Sequence, residues 1–207
     1  TKVDPMRGFK LCFKGAGRRR LTRLVVCFLI EHLGMAGQWS MVFPVARERY
    51  GWDHGNYSKY MTFVASIGLL GKLVVLPVLL KLTKSRMNVK LIIGGLALRA
   101  AELLLLAVAT KGWMFFAAGS LWSLSCVSEP LLRAVMLSCV QPSDTDALNG
   151  ALSAILLLTF RGAGPWIFGR LFAVGHYLPF GVSAVLFIAA AVSLGGLPPN
   201  AGLAGVS

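Results

Sequence analysis

Eight ionisable side chains stand inside stretches otherwise too apolar for them: Glu31, His32, Lys72, Arg99, Glu102, Glu129, Arg133 and Arg161. Burying a charge among apolar groups costs several kcal/mol unless it meets a partner or a water-filled cavity. Arg99 and Glu102 are three residues apart, and Glu129 and Arg133 four apart, so on a helix each pair shares a face and can neutralise itself. Arg133 is also long enough to reach an interface. Glu31, His32, Lys72 and Arg161 have no such neighbour, so they must meet charges on other helices or line a cavity. A carboxylate in such a place can carry a proton, because burial disfavours its charged form while a nearby cation favours it. Glu31, Glu102 and Glu129 are the candidates for that task, with His32 as a relay. Lys72, Arg99, Arg133 and Arg161 outnumber the three carboxylates by one, a surplus that suits an anionic substrate.

The elements that must position these residues are apolar helices. The chain has 207 residues, of which 56% are hydrophobic and 14% charged, and its mean hydropathy is +0.70. That is more apolar surface than the core of a soluble domain this size requires, so the surplus faces lipid. A spanning helix needs roughly 20 mostly apolar residues, and Leu, Ala and Val runs fit helices better than the alternation of a barrel. The pattern predicts spanning helices over 24–45, 60–80, 91–110, 113–133, 148–172 and 179–197, joined by short connections. The expected class is therefore an all-α integral membrane protein with six transmembrane helices over 24–197. A basic segment, 1–23, precedes it as a cytoplasmic tail or central loop, and a short tail, 198–207, follows. Thr1 in place of Met hints at a fragment or a processed chain.

Basic residues mark the expected cytoplasmic side. Lys2, Arg7, Lys10, Lys14, Arg18, Arg19, Arg20 and Arg23 precede the first span, and Lys81, Lys84, Arg86 and Lys90 join the second to the third. Both termini then lie in the cytoplasm, with Tyr50, Trp52, Tyr57, Tyr60, Trp113 and Tyr177 near the opposite interface. The formal net charge is +13, most of it beside predicted spans. Anionic lipid headgroups, rather than nucleic acid, are the expected partner. Cys12, Cys27, Cys126 and Cys139 form no Cys-x-x-Cys pair and suit packing; His32, His54 and His176 are too scattered for a metal site, and no cofactor is expected.

Pro77, Pro130 and Pro165 lie inside or near the ends of predicted spans, where they bend helices, and glycines such as Gly68, Gly95 and Gly164 permit close approach. To these add the order of a basic loop, six spans, Tyr50-Gly51-Trp52-Asp53 before the second span, and Glu129-Pro130-Leu131-Leu132-Arg133-Ala134 near the end of the fourth. Together they resemble the C-terminal half of a major facilitator superfamily transporter, over nearly the whole chain from Arg18 to Leu197. The flavour is that of tetracycline-efflux-like proteins and the proton-coupled folate transporter, with Pro130 to Arg133 and Asn149-Gly150-Ala151 at the matching places. Glu129 departs from the small residue more usual there. The resemblance implies two six-helix bundles enclosing a substrate near the midplane and rocking to expose it to either side. A second half, upstream or on another chain, is then required.

The function expected is secondary active transport of a small organic solute by alternating access, with protons as candidate coupling ion and no enzymatic activity. A non-transporting receptor or scaffold built on a transporter half is the alternative. A channel would need a filter or a voltage sensor, and the sequence has neither a Thr-Val-Gly-Tyr-Gly run nor Arg at every third position. An intramembrane enzyme would need a nucleophile with its base, and Gly181-Val182-Ser183-Ala184 is only a fragment of such a motif.

Overall fold

The computed structural model describes residues 7–13, 19–82 and 89–196, and every regular element among them is helical. The helices are α1 (Arg7–Phe13), α2 (Arg19–Tyr50), α3 (His54–Leu82), α4 (Val89–Val108), α5 in three pieces (Trp113–Ser120, Trp122–Ser125 and Ser128–Leu137), α6 (Pro142–Val174) and α7 (Leu178–Leu194). Six of them, α2 to α7, fall on the six predicted stretches. Four, α2, α3, α4 and α6, are long and apolar enough to cross a membrane by length and composition. The apolar α7 is shorter, and α5 is interrupted.

Prolines account for both π stretches and for one of the two breaks in α5. A proline ring collides with the carbonyl four residues before it. In α3 a π-helical stretch, Gly71–Val75, precedes Pro77, and in α6 a second one, Leu158–Ala163, precedes Pro165. The wider π turn relieves each collision and splays the local side chains. Pro130 acts more abruptly. The carbonyl it would meet belongs to Cys126, and the chain breaks from helix into turn at Cys126 and Val127 before resuming at Ser128. The continuous fourth helix expected over 113–133 is therefore corrected to three short pieces.

Part of the basic N-terminal segment is helical. Residues 7–13 are not a free tail: α1 lies on the Thr145–Leu157 part of α6, with Leu11 and Cys12 buried and Arg7 paired to Asp144. A β-carbon on Gly8 would come within 3 Å of the Ala147 carbonyl, so only glycine permits this contact. The first long helix starts at Arg19, earlier than residue 24. Lys2, Lys14, Arg18, Lys84, Arg86 and the 198–207 tail lie outside the described residues.

Tyr50-Gly51-Trp52-Asp53 is a helix stop followed by a helix start. Gly51 has φ of +64°, its N–H donates to the Arg47 carbonyl, and the Trp52 N–H donates to that of Ala46. This is the glycine C-cap that satisfies the last carbonyls of α2. Asp53 then accepts from the Asn56 N–H and caps α3. Trp52 is buried among Tyr60, Phe115 and Phe116, closing this end of the helix bundle.

At the centre, α7 packs along both α2 and α4. Gly34 and Gly37 of α2 make this possible: a β-carbon at Gly37 would lie 2.4 Å from the Phe168 ring and 2.5 Å from the Ser183 hydroxyl. The least buried long helices, α3 and α6, expose Leu70, Leu73, Val74, Leu158 and Trp166, a surface suited to lipid.

Candidate functional site

The site is built where α2, α4 and the broken α5 meet. Two turns separate Glu31 from Gln38 on α2, and their side chains enter different polar networks.

The first network joins Gln38, Arg99 and Glu102. Arg99 donates to Glu102 Oε2 at 2.6 Å, and Gln38 Nε2 donates to Oε1 at 2.9 Å. All three residues are buried, and the Arg99 guanidinium lies 3.6 Å over the Trp122 ring. Both Glu102 oxygens are satisfied, and the atoms of this network that lack a partner among the described residues are Gln38 Oε1 and Arg99 Nη2. The spacing predicted the Arg99 partner, whereas Gln38 comes from another helix and was not anticipated.

The second network is incomplete. Glu31 is 1% exposed, and its Oε1 accepts from the Ser128 hydroxyl at 3.1 Å, while Oε2 has no hydrogen-bond partner among the described residues. The Ser128 hydroxyl is also 3.1 Å from the Ser125 carbonyl. It can therefore donate to a Glu31 carboxylate, or turn to Ser125 and accept from the protonated acid. One residue along α2, the His32 Nδ1–H donates to the Phe28 carbonyl at 2.8 Å, leaving Nε2 without a hydrogen bond, 3.9 Å from Glu129 Oε1. A neutral imidazole with that tautomer would point a lone pair at the carboxylate, so the approach is attractive only with a proton on one of the two. Arg133 comes within 4.0 Å of the same Glu129 oxygen, loosely and on the half-buried side.

Glu31, Lys72, Arg99 and Glu129 line one cavity of about 20 Å³, closed by Trp122, Ser125, Ser128 and Phe187. That is space for about one water. The break in α5 builds it, since the turn at Cys126 and Val127 brings Ser125 and Ser128 to face α2. The π turn of α3 carries Lys72 on the side of a larger, open cleft of about 350 Å³ between Trp39, Met61, Val64, Gly68, Leu69 and Trp122.

Of the eight residues singled out in the sequence, four thus line one cavity. His32 and Arg133 touch it through Glu129, Glu102 backs it through Arg99, and Arg161 stands apart. Arg161 is exposed on the π turn of α6, with no ion pair to another described residue. Sequence reasoning missed Gln38, Ser125, Ser128, Trp39 and Trp122. An amide inside an apolar run was the one signal available for Gln38.

No family model matches the chain. It is 26% identical over 177 residues to Hippocampus abundant transcript-like protein 1 of Rattus norvegicus, covering 84% of this chain and 33% of that protein. The Homo sapiens protein of the same name is 25% identical over the same length and shares. Hippocampus abundant transcript 1 protein of Mus musculus is 25% identical over 155 residues, 74% of this chain and 31% of the relative. The chain spans about a third of the length of the curated relatives it matches, and most of each relative lies outside the matched stretch.

Proposed function

We propose that this chain is a six-helix half of a multi-pass membrane transporter of the major facilitator type, moving a small organic solute by alternating access with proton coupling. The observation that carries the reading is the open network around Glu31. A carboxylate 1% exposed, with one bare oxygen on a small cavity shared with Lys72, Arg99 and Glu129, is a poor structural device and a suitable proton carrier. Protonation forms a Glu31 O–H bond that Ser128 can accept, and release returns the Ser128 hydroxyl to donating. His32 and Glu129 hold a second proton site beside it. The four long apolar helices, the bent α3 and α6, and the relatives' greater length fit a half that works with another bundle.

The buried Arg99–Glu102 pair favours a second reading, a receptor or scaffold on the same fold, because that pair needs no transport to explain it. The test is uptake of labelled organic solutes by cells expressing the full-length protein, with and without an inward proton gradient. Transport predicts saturable, gradient-stimulated uptake that Glu31→Gln abolishes while the protein still reaches the membrane. Uptake equal to that of untransfected cells across the solute panel would leave the scaffold reading standing.

A further inference from the structure

Resting on the transport reading, we infer that the cleft between α2, α3 and α5 binds a flat organic monoanion, its ring against the wall that Trp39 and Trp122 form together and its carboxylate on Lys72. The cleft of about 350 Å³ is at the lower end of small-molecule sites. Its walls are aromatic and thioether: Trp39 and Trp122 meet edge to face with centroids 5.2 Å apart, and Met61, Val64 and Leu69 complete them. Aromatic faces and a methionine select a planar apolar body. Gly68 allows the indole of Trp122 to form the inner wall, because a β-carbon there would lie 2.3 Å from its Nε1.

Charge supplies the second half of the specificity. Among the described residues, Lys72 is the one ionisable side chain lining the cleft. It is exposed, and among the described residues it makes no ion pair, whereas Arg99 is committed to Glu102 and stacked on the Trp122 ring. An ammonium on an apolar wall with a free coordination sphere is complementary to a carboxylate, sulfonate or phosphate carried on a ring.

Lys72 also lines the small cavity with Glu31 and Glu129, so one side chain borders both the solute site and the proton site. The groups facing Glu31 are His32 on its own helix, Lys72 from α3, Arg99 from α4 and Glu129 from α5, with Phe187 from α7.

The test compares 2-naphthoate with naphthalene-2-carboxamide, which has the same shape and no charge. Each is titrated calorimetrically onto the full-length protein in phosphatidylcholine nanodiscs, with empty discs subtracted. Naphthoate should bind at least about tenfold more tightly than the amide, a difference of about 1.4 kcal/mol. Lys72→Gln should abolish that preference, Lys72→Arg should retain it, and Ala65→Trp should block both ligands by filling the cleft. Equal binding of the two, or a preference surviving Lys72→Gln, would overturn the inference. Because the readout is binding, its failure leaves the transport reading intact, and failure of uptake leaves this result intact.

Discussion

Glu102 and Glu31 are both buried carboxylates within the same helix bundle, yet they are treated in opposite ways. Glu102 has a guanidinium on one oxygen and an amide on the other, drawn from its own helix and from α2. Glu31 has one hydroxyl that can turn away, a bare second oxygen and a small cavity. The first arrangement ties α2 to α4 through a fixed set of side-chain hydrogen bonds. The second has a hydroxyl within reach of two acceptors, an arrangement that suits the proton carrier proposed above. Location in an apolar helix therefore does not assign a role to a charge; the completeness of its partners does.

The comparison breaks most visibly if the closed network is cut. Glu102→Ala leaves Arg99 buried without its counter-charge and should lower stability by about 3–5 kcal/mol, read as loss of folded protein in detergent on heating. Replacing the whole network at once, Gln38→Leu with Arg99→Met and Glu102→Leu, should restore most of that loss, since apolar packing of similar volume often matches a buried ion pair. Recovery in the triple variant would confirm that the network is structural. Ser128→Ala removes the hydroxyl from the open network and should cost only about 0.5–1.5 kcal/mol in melting, while shifting the pH dependence of uptake. The smallest effect belongs to Arg161→Gln, within about 0.5 kcal/mol, because an exposed cation without a described ion pair carries little of the fold.

Much of the frame was legible beforehand. Apolar runs locate the helices, the three-residue spacing of Arg99 and Glu102 gives their bridge, and Tyr50-Gly51-Trp52-Asp53 marks a stop and a start. What periodicity reports is which face of a helix a residue occupies, never which helix that face meets. Gln38 and Ser128 were missed for that reason: each acts on a residue more than sixty positions away. The break in α5 and the π turns of α3 and α6 were only partly legible. Pro77, Pro130 and Pro165 signalled bending, but whether a proline widens a helix or interrupts it depends on packing from neighbouring helices. The pairing of Glu129 was read as a bridge to Arg133, and the structure adds His32 as a second neighbour at similar distance.

The most direct test sets Glu31→Gln beside Glu102→Gln in the full-length protein, measuring proton-gradient stimulation of uptake per folded molecule together with folded yield. Glu31→Gln should fold normally and lose the stimulation. Glu102→Gln should fold poorly, and the surviving molecules should keep it. The opposite outcome, gradient stimulation retained in Glu31→Gln and lost in well-folded Glu102→Gln, would assign the proton to the closed network and contradict the account.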